Sequence, residues 1–170
     1  MKNPLPLLPS LVIILFLAMV VHSSSLAQSG AASITDLANQ SDVVVVGKVS
    51  TLNSEWTSDR TRIQTRVVVS VSQVLKGDGT GAAVTIVTPG GEVDGVGELY
   101  SEMPTFKKEE DVLLFARRDS HGDLRVTSGQ EGKVSLHKDE ISGKMMAAGK
   151  ESLDDITATL RKSVQNQLQK

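Results

Sequence analysis

Between Thr61 and Ser72 the chain alternates: Ile63, Thr65, Val67, Val69 and Val71 fall on one side, and Arg62, Gln64, Arg66, Ser70 and Ser72 on the other. A period of two with β-branched residues on one face defines a half-buried strand. Its length predicts a curved barrel strand rather than a flat sheet edge, because long strands twist and coil.

Val43 to Val49 is a β-branched run interrupted by Gly47. It predicts a strand covered on both faces, or one bulged at the glycine. Polar Asn53 to Asp59 reads as the turn that follows. Ala83 to Thr88 predicts a third strand ending at Pro89, and the apolar Val112-Leu113-Leu114-Phe115 within Asp111 to Ala116 a central one. Leu124 to Thr127 and Lys133 to His137 read as two short strands, followed by a polar stretch containing Met145 and Met146. Ser33 and Asp36 suit the start of a short helix that buries Ile34, Leu37 and Ala38. At the other end, Leu153, Ile156, Leu160, Val164 and Leu168 form one apolar stripe, with Ser152 as cap and Asp154 and Asp155 in the first turn. Together these predict a mainly β fold: a small, mainly antiparallel β-barrel of five to six strands with a short N-terminal helix and an amphipathic C-terminal helix over 153–168.

The first 27 residues have a different character. A lone Lys2 precedes an apolar run from Leu11 to Val21, and Ser25-Leu26-Ala27 precedes Gln28. The run is short of the roughly 20 residues needed to span a bilayer, so the segment reads as an export signal cleaved between Ala27 and Gln28. An uncleaved N-terminal anchor is the alternative. On this reading residues 28–32 are a disordered lead-in and residues 33–170 a single domain, periplasmic or extracellular, with no stable membrane insertion. That domain is large enough to bury a core without disulfides. The chain contains no cysteine, which excludes a disulfide framework, thiolate zinc sites and cysteine nucleophiles.

Several short motifs are similar to the strand landmarks of the netrin-like modules. They are Asn39-Gln40-Ser41-Asp42-Val43-Val44-Val45 leading into Lys48-Val49, Val74-Leu75-Lys76-Gly77, Val87-Thr88-Pro89, Val112-Leu113-Leu114-Phe115 and Gly122-Asp123-Leu124-Arg125-Val126. Those modules include the tissue inhibitors of metalloproteinases, and the resemblance implies a five-stranded OB-type barrel over about Leu37 to Leu136. In those inhibitors an N-terminal cysteine chelates the protease zinc; that mechanism does not transfer to a chain without cysteine. The chain also resembles small exported bacterial proteins that have a Gly-Gly-rich loop like Gly90 to Gly97 and a turn like Gln130 to Lys133. Glu109 and Glu110 stand where those chains often carry a glycine.

Chemistry-bearing patterns are sparse. Beyond the signal only His121 and His137 remain, without metal-ligand spacing, and there is no Gly-x-Ser-x-Gly elbow. Lys76-Gly77-Asp78-Gly79-Thr80-Gly81 lacks the Gly-Lys-Ser/Thr ending of a phosphate loop and reads as a turn. The carboxylate pairs Glu109-Glu110 and Asp154-Asp155 read as solvated or helix-capping. Net charge is −2 and aromatics are few, which argues against nucleic acid as a partner.

What stands out is Pro89 to Glu110, longer than loops usually are without a purpose. Gly90, Gly91, Glu92, Asp94, Gly95, Gly97, Glu98 and Tyr100 are its candidate binding residues, with four acids before the first base at Lys107. The plain structural reading makes it a hairpin excursion with Val93, Val96 and Leu99 packed on the barrel rim. The functional expectation is a non-enzymatic exported binding module, with no cofactor or metal, whose partner is another exported protein such as a protease. An inhibitor or accessory domain for a secreted protease is one alternative, and an enzyme with an unrecognised site another.

Overall fold

The computed structural model describes residues 32–78, 80–147 and 151–168. The segment read as an export signal, the expected cleavage point between Ala27 and Gln28, and residues 28–31 of the lead-in lie outside the described residues. Ala32 is described: it packs beside the short helix and donates its backbone N–H to Glu131 at 3.3 Å.

Among the described residues, nine strands and two α-helices follow the order α1 (Ile34–Asn39), β1 (Val43–Trp56), β2 (Ile63–Lys76), β3 (Ala83–Pro89), β4 (Gly91–Val93), β5 (Val96–Glu98), β6 (Asp111–Arg118), β7 (Leu124–Val126), β8 (Lys133–Lys138), β9 (Met145–Ala147) and α2 (Leu153–Leu168). Five of the strands close a barrel in the order β1-β2-β3-β7-β6, and β6 returns to β1. Strands β8 and β9 extend the sheet beyond β6, while β4 and β5 form a separate hairpin. All pairings are antiparallel except one. β3 meets β7 in parallel, at the single position Ile86 opposite Leu124.

The apolar runs are explained by two cores on opposite faces of the same strands. Val43, Val45 and Val49 of β1 point into the barrel with Val67, Val69, Ile86, Val112, Leu114 and Ala116. Val44 and Val46 point outward with Leu113 and Phe115, and are covered by Leu37 and Ala38 of α1 and Ile156 and Leu160 of α2. β1 and β6 are therefore buried on both sides, which is why their sequences do not alternate. β2 alternates as its sequence requires: Ile63, Val67 and Val69 are fully buried, and Thr65 nearly so.

Three register shifts, between Val44 and Val45, Val46 and Gly47, and Val49 and Thr51, bend β1 around the barrel. Gly47 is required at the second of them, because a Cβ there would run into the carbonyl of Ser70 and the side chain of Val69. The bulge anticipated at this glycine is thus combined with double-sided burial.

The helix caps match their sequence signals. Asp36 N–H donates to Ser33 Oγ at 3.1 Å, and Asp155 N–H to Ser152 Oγ at 3.2 Å.

Residues 91–98 form the hairpin of the plain structural reading. Three sequence expectations change. Asn53 to Trp56 belong to β1, so the turn is Thr57 to Arg62; these four residues pair with β2, and Asn53, Ser54 and Glu55 carry no apolar strand signal. Met145 to Ala147 form an edge strand on β8. Finally, closure through β3 and β7 is parallel rather than antiparallel.

Candidate functional site

The segment from Pro89 to Glu110 is a pinned wall rather than a free loop. It leaves β3 through Gly90, whose N–H donates to the Ile63 carbonyl at 2.8 Å and whose carbonyl accepts from Thr65 Oγ1 at 2.7 Å. Thr65 Oγ1 also shares a 2.9 Å hydrogen bond with Ser54 Oγ. Gly91 passes directly over these two hydroxyls with φ +130°, and a Cβ there would collide with both.

Strands β4 and β5 then pair through Gly91–Glu98, Glu92–Gly97 and Val93–Val96. Asp94 and Gly95 form the two-residue turn between them with φ of 53° and 77°, the left-handed pair that a tight hairpin prefers. The chain is fixed again at its far end. Glu109 N–H donates to the Val49 carbonyl at 2.8 Å, and Val49 N–H to the Glu110 carbonyl at 2.9 Å.

Between these anchors the backbone crosses the barrel mouth and encloses a groove of about 630 Å³. Its floor is Leu52, Thr65, Val67 and Thr88 from the barrel, and its far wall is Tyr100, Met103, Pro104 and Phe106. Gly90, Gly91, Glu92, Gly97, Glu98 and Tyr100 all line it, whereas Asp94 and Gly95 sit at the exposed hairpin tip. Six of the eight candidates are thus brought together. Tyr100 is oriented at both ends of its hydroxyl: it accepts from Arg62 Nη1 at 2.8 Å and donates to Glu98 Oε2 at 3.1 Å. Arg62 comes from the β1–β2 turn, where Asp59 accepts hydrogen bonds from Thr57 and Thr61, which hold its carboxyl below the ordinary value.

The rim does not follow the rim-packing expectation. Val93 is half-buried, but Val96 is 49 % exposed and Leu99 86 % exposed, and Leu52 lies partly open beside them. Glu92, Asp94 and Glu102 are exposed, and their carboxylates form no ion pair or hydrogen bond among the described residues. An apolar trough with an acidic margin results.

Other sequence candidates fall elsewhere. His121 is exposed in the β6–β7 turn and His137 is exposed on β8. Asp155 accepts a hydrogen bond from the capping Ser152 hydroxyl at the start of α2, and Glu110 is bonded to Lys133 and Ser135 at the foot of the wall. Among the described residues no group of three His, Asp or Glu side chains is gathered as a metal site. The groove's barrel-side residues escaped sequence reasoning because they come from distant strands. The hairpin carried a readable signal in Asp94-Gly95 between two valines.

No protein-family model matches this chain, and no curated protein matches it.

Proposed function

We propose that this protein is an exported, non-enzymatic binding module that takes a segment of another exported protein into the groove at the barrel mouth. The observation that carries the reading is the combination of a preformed trough whose wall is fixed at both ends with exposed Leu99 and Leu52, which both line it. A pre-organised wall loses little conformational entropy on binding. Unpaired Glu92, Asp94 and Glu102 favour a partner with apolar residues flanked by lysine or arginine. Export rests on the first 27 residues, which carry the pattern of a cleaved signal.

A photo-activated cross-linker placed at Leu99 tests the site. It is expected to capture a partner from the exported-protein fraction, whereas the same group at Ile141, a still more exposed apolar position in the β8–β9 turn, is not. Equal capture at both positions would remove the groove from consideration. Mass measurement of the exported protein tests processing, with a mature start at Gln28 expected.

A further inference from the structure

A second cavity lies at the seam of the barrel. Because β3 and β7 pair only at Ile86 and Leu124, the strands diverge beyond that point, and a cleft of about 370 Å³ is lined there by Val87, Thr88, Pro89 and Val126. Its margin is basic. Arg117 of β6 stands directly opposite Arg125 of β7, and Arg118 adjoins them.

Like charges directly opposite on neighbouring strands repel, so such a pair calls for a counter-charge. Asp119 supplies one, accepting from Arg125 Nε at 2.6 Å. Arg118 donates to the Gly122 carbonyl at 3.3 Å, which neutralises nothing. The Arg117 side chain makes no hydrogen bond or ion pair among the described residues. The site thus holds three guanidinium groups and one carboxylate in a chain whose net charge is negative. The cleft wall also contains the Thr88 hydroxyl, which is buried without a hydrogen-bond partner among the described residues.

We infer that this seam is a binding site for a small apolar carboxylate, with the carboxylate on Arg117 and Arg125 and the apolar body between Val87 and Val126. The planar guanidinium matches a carboxylate in two-point geometry, and the cleft volume lies within the range of small-molecule sites. The cleft borders the groove at the barrel mouth, sharing Thr88, Pro89 and Met103 with it, but the inference does not rest on what that groove binds.

Octanoate is a suitable probe, compared with octylamine, which has the same tail and the opposite charge, and with inorganic phosphate, which has charge and no tail. Titration of the purified protein followed by amide NMR is expected to show saturable shifts at Val87, Val126 and Ser128 with octanoate alone. Arg117→Gln, an exposed change that leaves both cores intact, is expected to weaken octanoate binding about tenfold or more. Absence of saturable shifts at millimolar octanoate overturns the inference. So does equal binding of octylamine or phosphate, or unchanged octanoate affinity in the variant.

Discussion

The Lys133 ammonium lies 2.7 Å from the Glu110 carboxylate, with 9 % and 16 % of the two side chains exposed. The same ammonium donates to the Thr105 carbonyl at 2.7 Å and sits 5.2 Å from the centre of the Phe106 ring. One lysine from β8 therefore holds the groove wall by its backbone, its aromatic ring and its terminal acid.

Lys133→Met is expected to cost about 3 kcal/mol, because removing one member of a covered ion pair leaves the other charge without compensation. Urea unfolding measures the loss. Limited proteolysis should cut the variant first between Ser101 and Lys108. An unchanged midpoint would show that the pair contributes nothing to holding the wall.

Acid is expected to weaken the fold through two carboxylates. Burial pushes the Glu110 carboxyl up, but hydrogen bonds from Lys133, Ser135 and the Lys107 amide outweigh it, so it titrates below its ordinary 4.5. Asp119 is held down to about 2 from 3.8, chiefly by the hydrogen bond from Arg125, with the amides of His121 and Asp123 adding to it against burial. A depressed folded-state value means stability that is present above the unfolded value and lost as pH falls through the folded one. The melting temperature should hold from pH 7 to about 5 and decline below. Asp119→Asn should flatten the part of that decline between about pH 4 and 2. A melting temperature that rises on acidification would contradict both assignments.

Leu160→Ala tests the helix against the barrel. Leu160 and Ile156 are each 1 % exposed in the outer core with Leu113 and Phe115. Truncating a fully buried leucine is expected to cost about 2–5 kcal/mol and to lower the melting temperature of the whole domain. If circular dichroism shows only the helix signal melting early, α2 is docked independently of the barrel.

Gly91→Ala and Gly95→Ala separate crowding from backbone strain. Both glycines have positive φ, but a Cβ at 91 meets the Ser54 and Thr65 hydroxyls, while at 95 it meets open space. The first is expected to cost more than about 1 kcal/mol, and the second less than the first. Equal losses would mean that the close approach of Gly91 to β1 and β2 is not maintained in solution.

The barrel was legible in the sequence where one face is wet and the other dry. Ile63 to Val71 alternates because Gln64 and Arg66 remain partly in water, and Val112 to Phe115 does not because both of its faces are covered. Strands of three residues, such as Gly91–Val93 and Met145–Ala147, are too short for any period to register. Asn53 to Trp56 extend the ladder with β2 through backbone pairing and through polar cross-strand pairs, Ser54 with Thr65 and Glu55 with Arg66, which carry no apolar period along the chain. Half of the groove was legible for a related reason. Its wall is contiguous in sequence and rich in glycine and acid, whereas Leu52, Thr65 and Thr88 meet there only after the barrel has closed.

Closure through one residue pair makes the barrel a split ring. β1, β2 and β3 are joined by short turns and can zip together from nearby sequence, while the Ile86–Leu124 contact spans a much longer stretch of chain and is backed by no neighbouring pair on either side. Contacts of that kind form late, because the entropy of the intervening chain is lost before the reward arrives. The same joint is the first that thermal motion can part without unzipping a ladder. The line between β3 and β7 is therefore the least reinforced part of the circumference, and amide hydrogens flanking it should exchange with solvent ahead of those in β1 and β6.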